Sequence, residues 1–187
     1  AVAFGKYAGT LSQGADAVAI GDSAGYNSQG AYSVAIGYGA GNVNQNQVAV
    51  AIGLNAGMSA QGYNGIAIGN GAAASNQGTG AIALGYSTGS GSGNYSIAIG
   101  HEAGKGNTSF IGANALALGY RAGYETAYAG SIILNASGSN LSSTAAGLYI
   151  NPVRYTASQD TNYDGIVFYN SNTKEVRYSY ALDGGDF

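Results

Sequence analysis

An aliphatic–alanine–apolar–glycine tetrad recurs eight times along this chain. The copies are Val2-Ala3-Phe4-Gly5, Val18-Ala19-Ile20-Gly21, Val34-Ala35-Ile36-Gly37, Val50-Ala51-Ile52-Gly53, Ile66-Ala67-Ile68-Gly69, Ile82-Ala83-Leu84-Gly85, Ile97-Ala98-Ile99-Gly100 and Leu116-Ala117-Leu118-Gly119. Their glycines step by 16, 16, 16, 16, 16, 15 and 19 residues, and a degenerate ninth copy, Ile132-Ile133-Leu134-Asn135, follows sixteen residues after the eighth. A fixed period of this kind marks a solenoid, in which each repeat forms one coil and stacks on its neighbours. Three residues beyond each tetrad comes a small pair, such as Ala8-Gly9, Ala24-Gly25, Ala72-Ala73 or Thr88-Gly89. A polar stretch follows, often ending in Gln-Gly, as at Gln13-Gly14, Gln29-Gly30, Gln61-Gly62 and Gln77-Gly78. Apolar segments bounded by Gly, Asn, Ser and Asp predict short strands and tight turns. Each interior glycine costs a helix about 1 kcal/mol, so no helical period survives this density of glycine. The repeats read as all-β.

Side chains one apart on a strand point to opposite faces. One face of the tetrad strands is therefore a ladder of Val, Ile, Leu and Phe, and the other carries alanine at 3, 19, 35, 51, 67, 83, 98 and 117. A solvated face would drift among polar residues. The constant alanine predicts that something lies close against it, and another copy of the chain is the nearest candidate. Ala3, Ala19, Ala35, Ala51, Ala67, Ala83, Ala98 and Ala117 are thus the expected oligomer interface, with the larger residues turned into the coil. A thin coil gains little from its own small core, and a closed cyclic homo-oligomer would bury the second face. Eight rungs at about 4.8 Å each give a rod of roughly 40 Å.

The pattern changes near residue 147. Residues 1–147 hold seven charged side chains and the last forty hold eight. The only proline, Pro152, appears in Gly147-Leu148-Tyr149-Ile150-Asn151-Pro152-Val153-Arg154. Asp164-Gly165 then predicts a turn, Ile166–Tyr169 a strand, 170–174 a turn, and Glu175–Leu182 a strand with Val176, Tyr178, Tyr180 and Leu182 on one face. The expected organisation is a solenoid over 1–147 of about nine coils and a β-rich module over 148–187 that caps its open edge.

The tetrad with its small-residue turn, as in Ser33-Val34-Ala35-Ile36-Gly37-Tyr38-Gly39-Ala40, resembles the head repeat of trimeric autotransporter adhesins of the YadA type. The resemblance covers residues 1–135 and implies a left-handed parallel β-roll assembled as a homotrimer. The sixteen-residue period is longer than that family's usual one, and the pattern of residues 136–187 does not predict that family's coiled-coil stalk or membrane anchor. The later runs Val167-Phe168-Tyr169-Asn170, Thr173-Lys174-Glu175-Val176 and Leu182-Asp183-Gly184-Gly185, with the Gly147–Arg154 run, resemble terminal segments of fibre-like virion proteins of phages and algal viruses. Together the resemblances imply a rigid trimeric fibre on a virion that contacts a host surface. The alternative is the head of a bacterial trimeric autotransporter adhesin. An ice- or matrix-binding solenoid ranks third, because the tetrads offer alanine where a regular Thr or Ser array would be needed.

Composition narrows the chemistry. Charged residues make up 8% of the chain, with a net charge of −3, far from the basic stripe that nucleic-acid binding needs. With 45% hydrophobic residues the chain is not of disordered composition. There is no cysteine, so disulfides and thiolate metal sites are excluded. No run approaches the ~18 to 20 apolar residues of a spanning helix, so membrane insertion is not expected. The chain opens directly on a tetrad, which reads as part of a longer protein with further coils upstream. A virion, extracellular or cell-surface location follows from the resemblances.

Catalysis has little to work with. His101 is the sole histidine, which rules out a histidine-based triad or a multi-histidine metal site within one chain. Its slot otherwise holds Lys6, Asp22, Tyr38, Leu54, Asn70, Tyr86 or Tyr120, the variation expected of an exposed position; three copies around an axis would offer a metal site only if the slot faces inward. The acidic residues lack calcium-repeat spacing, although Asp160, Asp164 and Glu175 could meet in the terminal module. No phosphate-loop motif accompanies the glycines, which serve turns. Neither an enzyme nor a cofactor is therefore expected. Tyrosine stands out: sixteen are present and ten lie in the repeats. Exposed tyrosine suits sugar or protein contacts, and Tyr38, Tyr63, Tyr86, Tyr120 and Tyr124 are the candidates for contact with a host glycan or protein. The alternative is that these rings cover neighbouring turns of a thin roll.

Overall fold

The computed structural model describes residues 1–106, 111–153, 166–169 and 176–179. The chain divides into two units, Ala1–Pro152 and Val153–Phe187. The first is a parallel β-solenoid with coils of about sixteen residues. Its larger sheet has ten strands stacked in chain order: β1 (Val2–Phe4), β3 (Val18–Ile20), β5 (Val34–Ile36), β7 (Val50–Ile52), β9 (Ile66–Ile68), β11 (Ile82–Leu84), β12 (Ile97–Ile99), β13 (Leu116–Gly119), β14 (Ser131–Asn135) and β15 (Gly147–Asn151). The smaller sheet has five: β2 (Leu11–Gln13), β4 (Asn27–Gln29), β6 (Val43–Gln45), β8 (Ser59–Gln61) and β10 (Ser75–Gln77). Among the described residues there is no helix. Tetrads pair in register even across the irregular steps, Ala83 with Ala98 and Ala98 with Ala117. The extra and missing residues are absorbed between tetrads.

Closing a coil in sixteen residues demands backbone conformations that L residues avoid. After Gly21, φ is positive at Ser23, Gly25, Ser28 and Tyr32, and one coil later at Gly39, Gly41, Asn44 and Val48. These left-handed corners cost a non-glycine residue about 1 to 2 kcal/mol each. Hydrogen bonds between coils hold them, such as Ser23 N–H to Lys6 O at 2.8 Å and Gly39 N–H to Asp22 O at 2.9 Å. The tetrad glycine is a stricter case. Gly21 has φ of 126°, and a Cβ there would lie 2.7 Å from the carbonyl oxygen of Gly37 in the next coil. Both the dihedral and the close approach require glycine.

The interior inverts one expectation. Ala19, Ala35, Ala51, Ala67, Ala83, Ala98 and Ala117 are fully buried within the single chain, and those of the first coils pack with Ala24, Ala40, Ala56 and Ala72. Their strand neighbours point outwards: Ile20 is 37% exposed and Leu118 42%. Two faces exist as the alternation predicts, but the alanines face into the coil and the branched residues face out. Volume decides the matter, since a coil closed by four tight corners leaves room for only a methyl group at this position at protein packing density. These seven alanines are therefore coil core, with no surface to offer a partner. Ala3 pairs with Ala19 in the same column and is exposed only because it sits on the first rung.

The second interior component is polar. Gln29, Gln45, Gln61 and Gln77 are buried, one per coil. Each sends its Nε2 across the coil to the carbonyl of the first tetrad residue: Gln29 to Val18 O at 2.8 Å, Gln45 to Val34 O at 2.8 Å, Gln61 to Val50 O at 2.7 Å and Gln77 to Ile66 O at 2.8 Å. Gln29 also donates to Gln45 Oε1 at 3.2 Å, and Gln45 to Gln61 Oε1 at 3.1 Å. The amides thus tie the two sheets together and run along the coil axis as a ladder. All four Nε2 groups are thereby paired, as buried donors require, while Gln29 Oε1 and Gln77 Oε1 have no partner among the described residues.

The ninth, degenerate copy continues the sheet as β14. Ile133 takes the alanine column opposite Ala117 and is fully buried, and Asn135 takes the glycine column opposite Gly119. The amide of Asn135 donates to Tyr120 O at 2.7 Å and Ser139 O at 2.6 Å. Gly147–Asn151, which the sequence places at the edge of the terminal module, instead forms the tenth strand and pairs in parallel with β14. The solenoid therefore extends one rung past the end of the repeat. In the second unit, β16 (Ile166–Tyr169) and β17 (Val176–Ser179) pair antiparallel, with Val167 opposite Tyr178. The ends of the expected second strand, at Glu175 and 180–182, and the turns around it lie outside the described residues, as do Asp160 and Asp164.

Candidate contact surfaces

Two features of the solenoid face outwards with chemistry to offer. The first is the outer side of the ten-stranded sheet. Its side chains come from the two branched or apolar positions of each tetrad, which the pleat turns away from the alanine core. Val34, Ile36, Val50, Ile52, Ile66 and Ile68 are half-buried along its middle. Towards the last strands exposure rises, to 43% at Ile132 and 56% at Leu148. In-register pairing stacks like on like, Val18 with Val34 and Ile20 with Ile36, so the apolar positions form two continuous columns. A shallow hollow lined by Leu118, Leu134, Ile150 and Pro152 lies on the late part of this face.

The second feature runs along the corner that follows the tetrad glycines. Tyr38, Tyr86 and Tyr120 occupy the same repeat slot there, whereas Tyr63 lies in the turn before the next tetrad. The structure therefore brings Tyr86, Tyr120 and Tyr124 together and leaves Tyr38 and Tyr63 apart from them. His101 fills the slot between Tyr86 and Tyr120 in the intervening coil. Its ring stacks on both, with centroids 5.0 Å from Tyr86 and 5.3 Å from Tyr120 and interplanar angles of 21° and 17°. Far from being merely solvated, it is the middle of a three-ring stack.

Beside the stack lies an ion cluster. Glu102 sits at a left-handed corner and is almost fully buried. Its carboxylate accepts from Lys105 Nζ through Oε1 and from Arg121 Nε through Oε2, the latter at 2.7 Å. His101 Nδ1 is 3.8 Å from the same Oε2. The hydrogen bond from Lys105 does most to hold the Glu102 carboxyl below the usual range; burial opposes it, and Arg121 reinforces it. The same bond raises the Lys105 ammonium. The Arg121 guanidinium lies over two rings, 5.1 Å from the centroid of Tyr120 and 4.8 Å from that of Tyr124. A guanidinium stacked on an aromatic face keeps its charge while shedding some water. Among the described residues no three His, Cys, Asp or Glu side chains gather as a metal site, and no helix is long and apolar enough to cross a membrane.

Sequence reasoning chose Tyr86, Tyr120 and Tyr124 but missed Glu102, Lys105 and Arg121. A signal was available. Residues 1–147 contain only three cations, Lys6, Lys105 and Arg121, and of these Lys105 lies within the nineteen-residue step and Arg121 just after it.

Comparison with known families agrees with this geometry. Residues 12–40, 60–88 and 92–103 match the family model for the YadA head domain repeat, in two copies. No curated protein and no solved structure matches the chain significantly. The matched stretches cover less than half of the chain, and all of them lie within the solenoid. The chain is a parallel β-solenoid carrying YadA-like head repeats.

Proposed function

We propose that this chain is a structural, non-enzymatic adhesin-type module that self-associates through the outer side of its ten-stranded sheet and presents its corners to a host surface. The observation that carries this reading is the pair of continuous apolar columns on that side. A water-facing sheet side would carry polar residues, and contiguous exposed apolar surface marks an interaction site. A homotrimer, as in the matched family, would bury three such faces around one axis, and cyclic closure leaves none of them open. The self-association contact thus moves from the alanines to the branched residues beside them. The family match supports a bacterial cell-surface setting. It gives no support to the virion setting, which rested on the C-terminal segment, much of which lies outside the described residues.

Light scattering on the purified chain tests the reading, with a stable trimer expected. Ile52→Lys combined with Ile68→Lys should return a folded monomer, because two lysines on adjacent rungs would place six charges at the axis. A wild-type chain that stays monomeric at high concentration would refute self-association. Beads coated with the wild-type trimer should adhere to host cells or matrix; failure to adhere to any surface tried would leave a scaffold without adhesive function.

A further inference from the structure

We propose that the corner around Arg121 is a binding site for an acidic saccharide, a sugar chain bearing carboxylate or sulfate groups. The inference rests on the adhesin reading for its setting and names the class of ligand.

The cluster leaves hydrogen-bond donors unused. Lysine and arginine are donors only, with three and five N–H groups. The buried Glu102 carboxylate is met by Lys105 Nζ and by Arg121 through Nε alone, so that pairing does not use the two Nη groups of Arg121. The Arg121 and Lys105 side chains are 34% and 30% exposed. Two cations thus share one buried anion, and the surplus donors lie at the surface. A guanidinium edge is the geometry that grips an oxyanion with two parallel bonds.

The rings point the same way. Aromatic faces are negative and aromatic edges positive. In the stack of Tyr86, His101 and Tyr120 the faces are turned to one another, and Arg121 covers Tyr120 and Tyr124. The negative faces are therefore largely occupied, and ring edges and tyrosine hydroxyls remain to meet a ligand. Tyr86 is 52% exposed and the His101 side chain 47%. Such a surface favours an acceptor-rich anion.

The reason for a saccharide over a small ion is extent. The stack crosses three successive coils, so a single small anion could engage the Arg121 end but not Tyr86. A chain with a hydroxyl on every unit and an anionic group at intervals can run along the tyrosine hydroxyls and place its charge on Arg121.

NMR titration of the full chain tests this. His101 is the only histidine, so its ring protons report the site directly. The probes are a hyaluronan oligosaccharide (carboxylate only), a chondroitin sulfate oligosaccharide (carboxylate and sulfate) and a dextran oligosaccharide (neutral), all of equal length. One or both acidic probes should shift the His101 signals saturably and lose affinity as salt is raised, with no shift from dextran. The two acidic arms distinguish carboxylate from sulfate as the recognised group. Arg121→Gln should weaken binding at least tenfold. Tyr86→Ser, which leaves the ion cluster intact, should weaken it several-fold and decides the matter should Arg121→Gln fail to fold. Equal binding of dextran would overturn the proposal, as would a silent His101 with both acidic probes or unchanged affinity in folded variants. Sodium sulfate reproducing the oligosaccharide shift at the same concentration would reduce the site to simple anion binding and also overturn it. Cell adhesion run in parallel separates the two readings: adhesion that persists without oligosaccharide binding sinks the saccharide site alone.

Discussion

Up to Gln77 the solenoid is filled by alanine and glutamine; beyond it the glutamine column reads Ser92, Ile111 and Ala127, as the backbone bonds from Gly78, Gly93 and Gly112 place them. The apolar part of the early core is entirely alanine, whereas the late core adds Ile111 and Ile133, with Leu141 and Tyr149 packed against it. An amide ladder works only while each rung repeats the height and direction of the last. The side-chain links run from Gln29 to Gln45 to Gln61, and where the column steps by fifteen and then nineteen residues it no longer holds glutamine. Ser92, which follows Gln77 in the column, leaves its Oγ buried without a partner among the described residues, as do Gln29 Oε1 and Gln77 Oε1 at the two ends of the buried glutamines. The late coils substitute apolar bulk inside and the Glu102 cluster at the corner. Period and interior polarity go together.

The sharpest way to break this contrast is Ile133→Ala. It restores the consensus residue of the repeat, yet should cost about 2 to 5 kcal/mol in denaturant unfolding, because the late core has grown to fit a larger side chain. No loss would mean that the late coils are as narrow as the early ones. The converse change, Ala51→Leu, should lower stability by about 1 to 3 kcal/mol through overpacking, and Ala67→Leu should match it in a thermal melt. Gln45→Leu should cost about 1 to 3 kcal/mol, since it leaves the buried Gln61 Oε1 without its donor and removes a rung of the ladder. Gln13→Leu, on the exposed first coil, should cost less in the same assay. Val48→Asn should raise stability by about 1 kcal/mol, because Val48 holds a φ of 59° that a β-branched residue resists and asparagine tolerates. The smallest effect concerns the late corner. The folded-state pKa of Glu102 is depressed, so its contribution is present above the ordinary carboxylate range and lost as pH falls from there through the lower folded value. Wild type should therefore lose its melting-temperature advantage over Glu102→Gln in that acid window; a constant difference across it would show that the cluster adds nothing.

Much of the fold was legible in the sequence because a solenoid writes its geometry as a period. The tetrads gave the strands, the sixteen-residue step gave the pairing, and Gly21 and its equivalents gave the tight approach. Which side of the strand was inside could not be read from alternation, which distinguishes two faces without orienting them. Coil width decides that, and width depends on the corners. Those were hidden because Ser23, Tyr32, Asn44 and Val48 share a left-handed conformation without sharing a residue type. The glutamine column was a signal misread: Gln13, Gln29, Gln45, Gln61 and Gln77 hold the period as strictly as the alanines, and repetition without drift marks a buried slot whatever its polarity. The candidate site was half legible. Its tyrosines stood out by number, but the approach of Arg121 to Glu102, nineteen residues away, needed the long coil between them to be folded.

The one-coil register has a consequence for how the chain reaches this state. Nearly every strand partner lies about sixteen residues away, Val2 with Val18 and Ile66 with Ile82 alike, so each new rung closes a loop of nearly the same length and entropy cost. Folding of such an array can nucleate at one coil and advance to the next, and its low contact order favours speed. A chain arriving one end first, from a ribosome or through a pore, could fold as it emerges, since no coil waits for a distant segment to complete it.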